Sequence, residues 1–244
     1  MRVSAGQDRV RQGGAYPLNA GRTLAIGDIH GCDEALAVLL REMQITPEDT
    51  VIVLGDVIDR GPDSKRCIDL LLDLKTRCRF QHIMGNHEEM FLDALYGGEW
   101  AEAWPRYGGM EMLHSYGGRF SGIPPEHMDF IRSGLPYIET DSTIFSHAAI
   151  RCEYPLDAQD KHWLRWSRIG RHCLPHFSGK RVICGHTAQP SGLPLVLPGW
   201  VCIDTCVYGD GGALTALDVD NDLIYQAEQS GHFRGCHPLE DFIG

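Results

Sequence analysis

Three apolar segments in the first part of the chain share one pattern, because each ends in a glycine that polar side chains follow. They read LAIGDIHG (residues 24–31), VIVLGDVIDR (51–60) and IMGNHE (83–88). A short β-branched run such as VIVL is typical of a buried strand in a parallel sheet. Glycine lets the chain turn sharply at the carboxyl end of the strand, the edge where open α/β sheets bind ligands. The pattern predicts strands at 23–26, 51–54 and 79–84.

Helical spacing separates these strands. Asp33 is predicted to cap a helix that runs to about residue 43, and Ser64 a second helix, because apolar residues recur at steps of three and four after each of them. A third helix is predicted from residue 88 to about residue 96. The order β-α-β-α-β-α implies a parallel sheet with right-handed crossovers.

Residues 97–136 have a different character, since glycine pairs alternate there with tryptophan and tyrosine. We expect short helices and loops that form a lid over the strand ends. One of these helices is predicted at 126–133, after Pro124 and Pro125.

From residue 137 onward the pattern favours short strands. Their close spacing and the glycine or Asn-Asp turns between them predict antiparallel pairs. The predicted fold is therefore α/β, with two packed mixed β-sheets flanked by helices, one sheet from each half of the chain. We predict a single domain over residues 23–244 and a flexible, polar, glycine-rich tail over residues 1–22. The predicted strands of the second half are 137–140, 143–146, 181–184, 195–197, 200–203, 213–218 and 223–228.

Composition narrows the class of protein. With 244 residues, 43% of them hydrophobic, the chain is expected to bury one sizeable core. Its net charge of −11 argues against nucleic acid or an anionic membrane as partner. The N-terminus has no apolar core that would mark a secretory signal. The nine cysteines are an odd number without a CxxC pair, so we expect reduced thiols and a cytoplasmic protein.

Two further histidines follow predicted strands, His147 in IFSHA and His186 in VICGHT. Together with the polar residues after the first three strands they form a set of carboxylate, amide and imidazole groups. Such a set suits Mn²⁺, Fe²⁺ or Zn²⁺, and the absence of cysteine argues against a structural zinc site. The candidate metal ligands are Asp28, His30, Asp56, Asn86, His147 and His186.

Six ligands are too many for a single ion that must keep a water molecule. They suit two ions about 3.5–4 Å apart that share one carboxylate, a centre that lowers the pKa of a bridging water from ~15.7 toward ~7. The reaction that such a centre favours is in-line displacement at phosphorus by the bridging hydroxide.

The motifs GDIHG, GDVIDRG, GNHE, SHA and GHT occur in this order. The set resembles the phosphoprotein phosphatase family of calcineurin-like metallophosphoesterases, in particular its short bacterial and phage members, which act on phosphoserine and phosphothreonine. The resemblance covers about residues 23–218. It implies that Asp28 and His30 hold one metal ion, that Asp56 bridges the two ions, and that Asn86, His147 and His186 complete the second site. Mn²⁺ is the expected metal, with Fe²⁺ or Zn²⁺ as alternatives.

The same resemblance implies catalytic roles near the metals. His87 matches the general acid that protonates the leaving oxygen, and Asp59 the carboxylate that orients it. Arg60 matches a phosphate clamp.

The second clamp is left open between two arginines. The family's Trp-x-Arg pattern selects Arg168, but Trp163-Leu164-Arg165 fits it as well, so Arg165 is the alternative. Tyr208 is a candidate for contact with the substrate phosphate or for simple packing. Cys206 stands where the family usually has glycine, which puts the local backbone geometry in doubt.

Three functions compete at this point. The first is a phosphatase for phosphomonoesters, with a phosphoprotein or a small phosphoester as substrate. The second is a diadenosine tetraphosphate hydrolase or another phosphodiesterase on the same scaffold. The third is a catalytically silent binding module, which the complete ligand set disfavours. The sequence leaves the oligomeric state open.

Overall fold

The computed structural model describes residues 21–170 and 172–243. The predicted tail therefore lies outside the described residues except for Gly21 and Arg22. Arg22 is tied to the body of the protein, since its backbone N–H donates to Asp49 Oδ1 at 2.8 Å and its guanidinium to Asp49 Oδ2 at 2.9 Å.

The first part of the chain has the predicted β-α-β-α-β-α order. Strand β1 pairs with β2, and β2 with β3, both in parallel, as the helical crossovers between them require. The elements are β1 (Thr23–Ile26), α1 (Asp33–Glu42), β2 (Thr50–Val53), α2 (Ser64–Lys75), β3 (Arg79–His82) and α3 (Asn86–Leu95).

Both predicted helix caps are wrong by one residue. Helix α1 follows Cys32, and Asp33 already lies in its first turn. Helix α2 is capped by Asp63, whose side chain accepts from the backbone N–H three residues further on. The Ser64 hydroxyl instead accepts the backbone N–H of Asp59 at 3.0 Å, so it holds the turn after β2.

Residues 97–136 form the expected short helices. A 3₁₀ helix at Trp104–Tyr107 leads into α4 (Gly109–Ser115), and a second at Phe120–Gly122 leads into α5 (Pro125–Arg132). Helices α4 and α5 both pack against α2, so this region is joined to the first half of the domain.

The second half supplies the remaining strands, and one of its strands and its α-helix were not predicted. Helix α6 (Lys161–Trp166) spans only six residues, and β11 (Phe233–Pro238) contains glycine and proline at a half-exposed sheet edge. Neither has enough length or periodicity to stand out in the sequence. The other strands are β4 (Tyr137–Glu139), β5 (Thr143–Ser146), β6 (Arg181–Cys184), β7 (Leu195–Leu197), β8 (Trp200–Cys202), β9 (Leu214–Asp218) and β10 (Leu223–Ala227).

Two packed mixed sheets are confirmed, but their composition differs from the prediction. One sheet has the order β11-β10-β9-β1-β2-β3 and the other β4-β5-β6-β8-β7. Strand β9 pairs antiparallel with β1, so the end of the chain extends the first sheet. Strands β5, β6 and β8 are parallel to one another rather than antiparallel, because the connection between β5 and β6 is long enough for a crossover that includes α6.

A buried apolar layer that includes Ile52, Phe145 and Ile183 joins the two sheets. The parallel strands β1, β2 and β3 of one sheet and β5, β6 and β8 of the other direct their carboxyl ends to a common edge. None of the helices within residues 21–170 and 172–243 combines the length and apolar character needed to cross a bilayer.

Candidate metal centre and active site

The turns after β1 and β2 are built onto each other. The backbone N–H of His30 donates to the carbonyl of Asp56 at 2.8 Å, and that of Gly61 donates to the carbonyl of His30 at 2.8 Å. Several non-glycine residues here have left-handed backbone angles, a strain that persists where the surrounding structure holds it and that clusters at functional sites. They are His30, Asp56, Asp59, Arg60 and, after β6, His186.

Two of the motif glycines are required by close approach. A Cβ atom at Gly85 would lie 2.1 Å from Asp56 Oδ1, and one at Gly185 would lie 1.9 Å from Asp28 Oδ1. Any other residue at these positions would displace the carboxylates that the site depends on.

Glu88 connects the turn after β2 to the turn after β3. Its Oε2 accepts the backbone N–H groups of Asp56 at 2.9 Å and Gly85 at 3.0 Å, and its Oε1 accepts that of Val57 at 2.8 Å. Burial raises the pKa of this carboxyl to about 7. No role was predicted for Glu88, although its place in the GNHE motif, at the start of α3, marks it as a capping residue.

Asp56 lies between two groups of possible metal ligands. Its Oδ2 is 3.5 Å from His30 Nε2, and its Oδ1 is 3.5 Å from His147 Nε2. Burial alone would raise the pKa of Asp56, but the imidazoles of His147, His87 and His30 outweigh it and hold the pKa well below its usual value. An ionised carboxylate with one oxygen toward each side is the arrangement that a bridging ligand needs.

On one side of Asp56, three lone pairs converge. His147 Nδ1 donates to the carbonyl of Leu54 at 2.9 Å, and His186 Nε2 donates to that of Trp166 at 3.0 Å. The second nitrogen of each ring is 2.9 Å from Asn86 Oδ1. Burial lowers the pKa of both histidines, that of His186 to about 4, so each ring is neutral and carries one N–H, the one that faces the carbonyl. Nitrogen and oxygen acceptors facing one another without a hydrogen fit a cation.

The other side of Asp56 contains His30 and Asp28. His30 Nδ1 donates to the carbonyl of Ile58 at 3.1 Å, which leaves its Nε2 as an acceptor, and Arg60 Nη1 donates to that atom at 2.8 Å. Both oxygens of Asp28 accept from the backbone N–H of His186, at 3.3 and 3.1 Å. A metal ion at His30 therefore requires the Arg60 guanidinium to move away from the ring.

In the described part of the chain, histidine and carboxylate atoms that lie close enough together to bind one metal ion form two groups. One is His30, Asp56 and His87, and the other is Asp56, His147 and His186. Asp56 belongs to both groups, as a bridging ligand must. All six predicted ligands lie at this edge of the two sheets, and the individual role of each stays a prediction.

His87 and Asp59 form a buried pair. His87 Nδ1 donates to Asp59 Oδ2 at 2.7 Å, and the indole N–H of Trp104 donates to the same oxygen at 2.9 Å. Burial would lower the pKa of His87, but the carboxylates of Asp56 and Asp59 outweigh it and raise the pKa. The ring is thus fixed with Nε2 free to carry a proton toward the cavity. Trp104 comes from the predicted lid, and its role was missed because its partner is distant in sequence.

The two candidate clamp arginines have different surroundings. Arg168 lines a cavity of about 340 Å³ together with Asp28, His30 and Tyr208. Arg165 is engaged elsewhere, since its Nη1 pairs with Glu89 Oε1 at 3.0 Å. Of the two, Arg168 is therefore the one at the cavity.

Arg60 and Tyr208 contact each other at the cavity wall. The Arg60 guanidinium carbon lies 4.5 Å from the centre of the Tyr208 ring, a cation–π contact. Nearby, Cys206 has a φ of 57°, the left-handed conformation that glycine adopts without strain. Cys206 therefore adopts here a backbone conformation that glycine would adopt without strain.

Asp204 is a further cavity residue that was not predicted from the sequence. It follows β8, is 2% exposed, and lines the same cavity as Asp28 and His30. The strand-end pattern could have found it, because CID follows an apolar run as GDIHG and GDVID do.

Comparison with known proteins agrees with this architecture. The sequence profile of the calcineurin-like phosphoesterases matches residues 21–209. The chain is 32% identical over 157 residues to serine/threonine-protein phosphatase 1 of Salmonella typhimurium, covering 59% of this chain and 67% of that protein. It is 27% identical over 226 residues to the asymmetrical bis(5'-nucleosyl)-tetraphosphatase PrpE of Geobacillus thermodenitrificans, covering 79% of this chain and 88% of that protein.

Among solved structures, that of a proposed diadenosine tetraphosphatase superposes with a TM-score of 0.65 at 22% identity, covering 87% of this chain and 96% of the other. This similarity concerns the fold. The family profile spans the strand ends, all six candidate ligands and the His87–Asp59 pair. The chain therefore belongs to the calcineurin-like phosphoesterase family and is a phosphoester hydrolase.

Proposed function

We propose that the protein is a metal-dependent phosphomonoesterase that acts on phosphoserine and phosphothreonine in proteins. The observation that carries the proposal is the position of Asp56 between two groups of metal-binding atoms, beside the His87–Asp59 pair. The free thiol form of all nine cysteines supports a reducing compartment, and we assign the enzyme to the cytoplasm.

Two divalent ions, which we propose to be Mn²⁺, would supply Lewis acidity and a water of lowered pKa. The neutral histidines and the ionised Asp56 are suited to this charge, and the bonds to main-chain carbonyls fix which ring nitrogen is free. Asp28, His30 and Asp56 would hold one ion, and Asp56, Asn86, His147 and His186 the other.

His87 would act as the general acid. Its Nε2 proton passes to the serine or threonine oxygen as the bond from that oxygen to phosphorus breaks, so the alcohol leaves neutral. Asp59 and Trp104 hold the ring in place for this transfer. A positioned acid of this kind contributes ~10²–10⁴ in rate.

Arg60 and Arg168 would clamp the phosphate. Both guanidinium groups line the cavity, and each offers paired N–H donors to phosphate oxygens. Arg60 would exchange its bond to His30 for one to the substrate.

The surroundings of the cavity favour a substrate whose phosphate is attached to a peptide over one whose phosphate belongs to a polyphosphate chain. A neighbouring cavity of about 350 Å³ shares Arg60 and Tyr208, and another of about 470 Å³ shares Trp100 and Trp166. Carboxylates outnumber cations in their walls, and the net charge of the chain is −11. A long anionic chain would be repelled there, whereas a neutral or basic peptide would not. The wall carboxylates are Asp210 and Glu228 in the first cavity and Glu89, Asp93 and Glu99 in the second.

Hydrolysis of a dinucleoside tetraphosphate is the second candidate. The similarity to the tetraphosphatase relative extends over more of both chains than the similarity to the serine/threonine phosphatase. Indole rings at the cavity rim, Trp100 and Trp166, whose centroids lie 5.1 Å apart, offer aromatic surface for a base.

A substrate panel tests the proposal. The Mn²⁺-loaded enzyme is assayed with phosphoserine and phosphothreonine peptides, p-nitrophenyl phosphate and diadenosine tetraphosphate, and kcat/KM is compared. We expect the phosphopeptides to be preferred, and a clear preference for the tetraphosphate would reject the protein substrate. The His87→Asn variant is the internal control, because p-nitrophenolate leaves without protonation and should lose less rate than a serine or threonine alkoxide.

A further inference from the structure

Asp204 is a buried carboxylate next to a predicted metal ligand. It follows β8 at the common edge of the sheets, is 2% exposed, and lines the cavity that also contains Asp28 and His30. The Asp28 and Asp204 carboxyl groups are therefore both buried at one cavity. Two buried carboxyl groups at one site repel each other unless a proton or a cation lies with them.

The hydrogen bonds of Asp204 account for only part of its carboxylate. The backbone N–H of Cys206 donates to Oδ1 at 3.2 Å. Within residues 21–170 and 172–243, no donor reaches Oδ2 and no lysine or arginine forms an ion pair with this side chain. Burying a carboxylate with one long hydrogen bond is costly. Holding the loop after β8 needs only the single acceptor, so the second oxygen and the negative charge are available to a ligand in the cavity that Asp204 lines.

The two sides of Asp56 also differ in their number of ligands. The side with Asn86 has three protein donors besides Asp56, whereas the side with His30 has two, Asp28 and His30. Asp204 lies beside the second of these. We infer that Asp204 serves as a further carboxylate of the metal site at Asp28 and His30, where it helps to hold the divalent ion. This inference rests on the proposed dinuclear centre.

A purely structural role makes a different prediction. Asparagine has the size of aspartate and keeps the Oδ1 acceptor for the Cys206 N–H, so the loop would be unchanged in Asp204→Asn. Only the charge and the second carboxylate oxygen would be lost. The variant thus separates a role toward the metal from a role in the loop.

The test is Mn²⁺ binding by isothermal titration calorimetry on the full chain after removal of metal by a chelator. We expect the wild type to bind two ions. Asp204→Asn should weaken one of the two sites about 10–100-fold, the range for residues that support metal ligands, and leave the other unchanged. The matched control is Asp210→Asn, the same change at an exposed position of the same loop, which should leave both sites unchanged.

Wild-type affinity at both sites in Asp204→Asn would overturn the role of Asp204 and leave the dinuclear centre standing. Fewer than two bound ions in the wild type would overturn both. The thermal unfolding midpoint of each metal-free variant checks folding. Should Asp204→Asn not fold, Asp204→Ser removes the carboxylate with a smaller side chain: weakened binding at one of the two sites supports the inference, and wild-type affinity at both sites contradicts it.

Discussion

The two sides of Asp56 are built differently. On the Asn86 side, one nitrogen atom of His147 and one of His186 already lie 2.9 Å from the amide oxygen of Asn86. Both rings are neutral, because burial lowers their pKa. On the His30 side, Arg60 occupies the acceptor nitrogen, and the carboxyl groups of Asp28 and Asp204 are both buried at the cavity.

For the proposed dinuclear centre, this difference implies that one metal site would be preorganised and the other completed on binding. Ligands that are already in place cost little free energy to order. On the His30 side, by contrast, Arg60 must move away and the carboxyl groups must be deprotonated before an ion can bind. We therefore expect the Asn86 side to bind Mn²⁺ more tightly. Changes at single residues should then affect the two sides unequally.

The largest effect is expected from His87→Asn. Because His87 is the proposed acid, turnover of a phosphoserine peptide should fall by roughly 10²-fold or more. His87 also lies within reach of His30 and Asp56, so metal content decides which role it has. Retention of two Mn²⁺ ions by elemental analysis would identify the acid, and loss of one ion would make His87 a ligand of the His30 side. Wild-type turnover would remove it from the mechanism.

A smaller effect is expected when the pH is lowered from 7 to 5. Burial raises the pKa of Asp204 to about 6 and raises that of Asp28 well above its usual value, while burial lowers that of His186 to about 4. A raised carboxyl pKa means that protons compete with metal below pH 6, and a lowered histidine pKa means that they compete only near pH 4. Mn²⁺ affinity at the weaker site should fall about tenfold per pH unit below 6. Binding isotherms at several pH values in which the tighter site weakens first would contradict this order.

The smallest effect is expected from Arg60→Ala. Loss of the 2.8 Å bond frees His30 Nε2, and a hydrogen bond of ~1 kcal/mol corresponds to about fivefold tighter Mn²⁺ binding on that side. The phosphate clamp is lost at the same time, so KM for the peptide should rise. Arg168→Ala is the matched control, since it removes a clamp without touching His30. Equal metal affinities in the two variants would show that Arg60 does not compete for the histidine.

Local features of the sequence were sufficient to predict most elements and the six candidate ligands. An apolar run that ends in glycine specifies a strand and the turn after it through backbone and burial preferences of a few neighbouring residues. Asp28, Asp56 and Asn86 could therefore be assigned to strand ends. Ser64 could not be assigned correctly, because its hydroxyl serves Asp59 in a neighbouring turn rather than its own helix.

By itself, then, the sequence determined most of the strands and turns and predicted the chemical type of the centre, since each depends on residues adjacent along the chain. The tertiary structure decided that β9 pairs with β1, that β5, β6 and β8 are parallel, and that Arg168 rather than Arg165 lies at the cavity. It also gave Glu88, Trp104 and Asp204 their positions. Strand pairing and the contacts of buried polar groups join residues distant along the chain, and several arrangements satisfy the same local pattern until the whole core is packed.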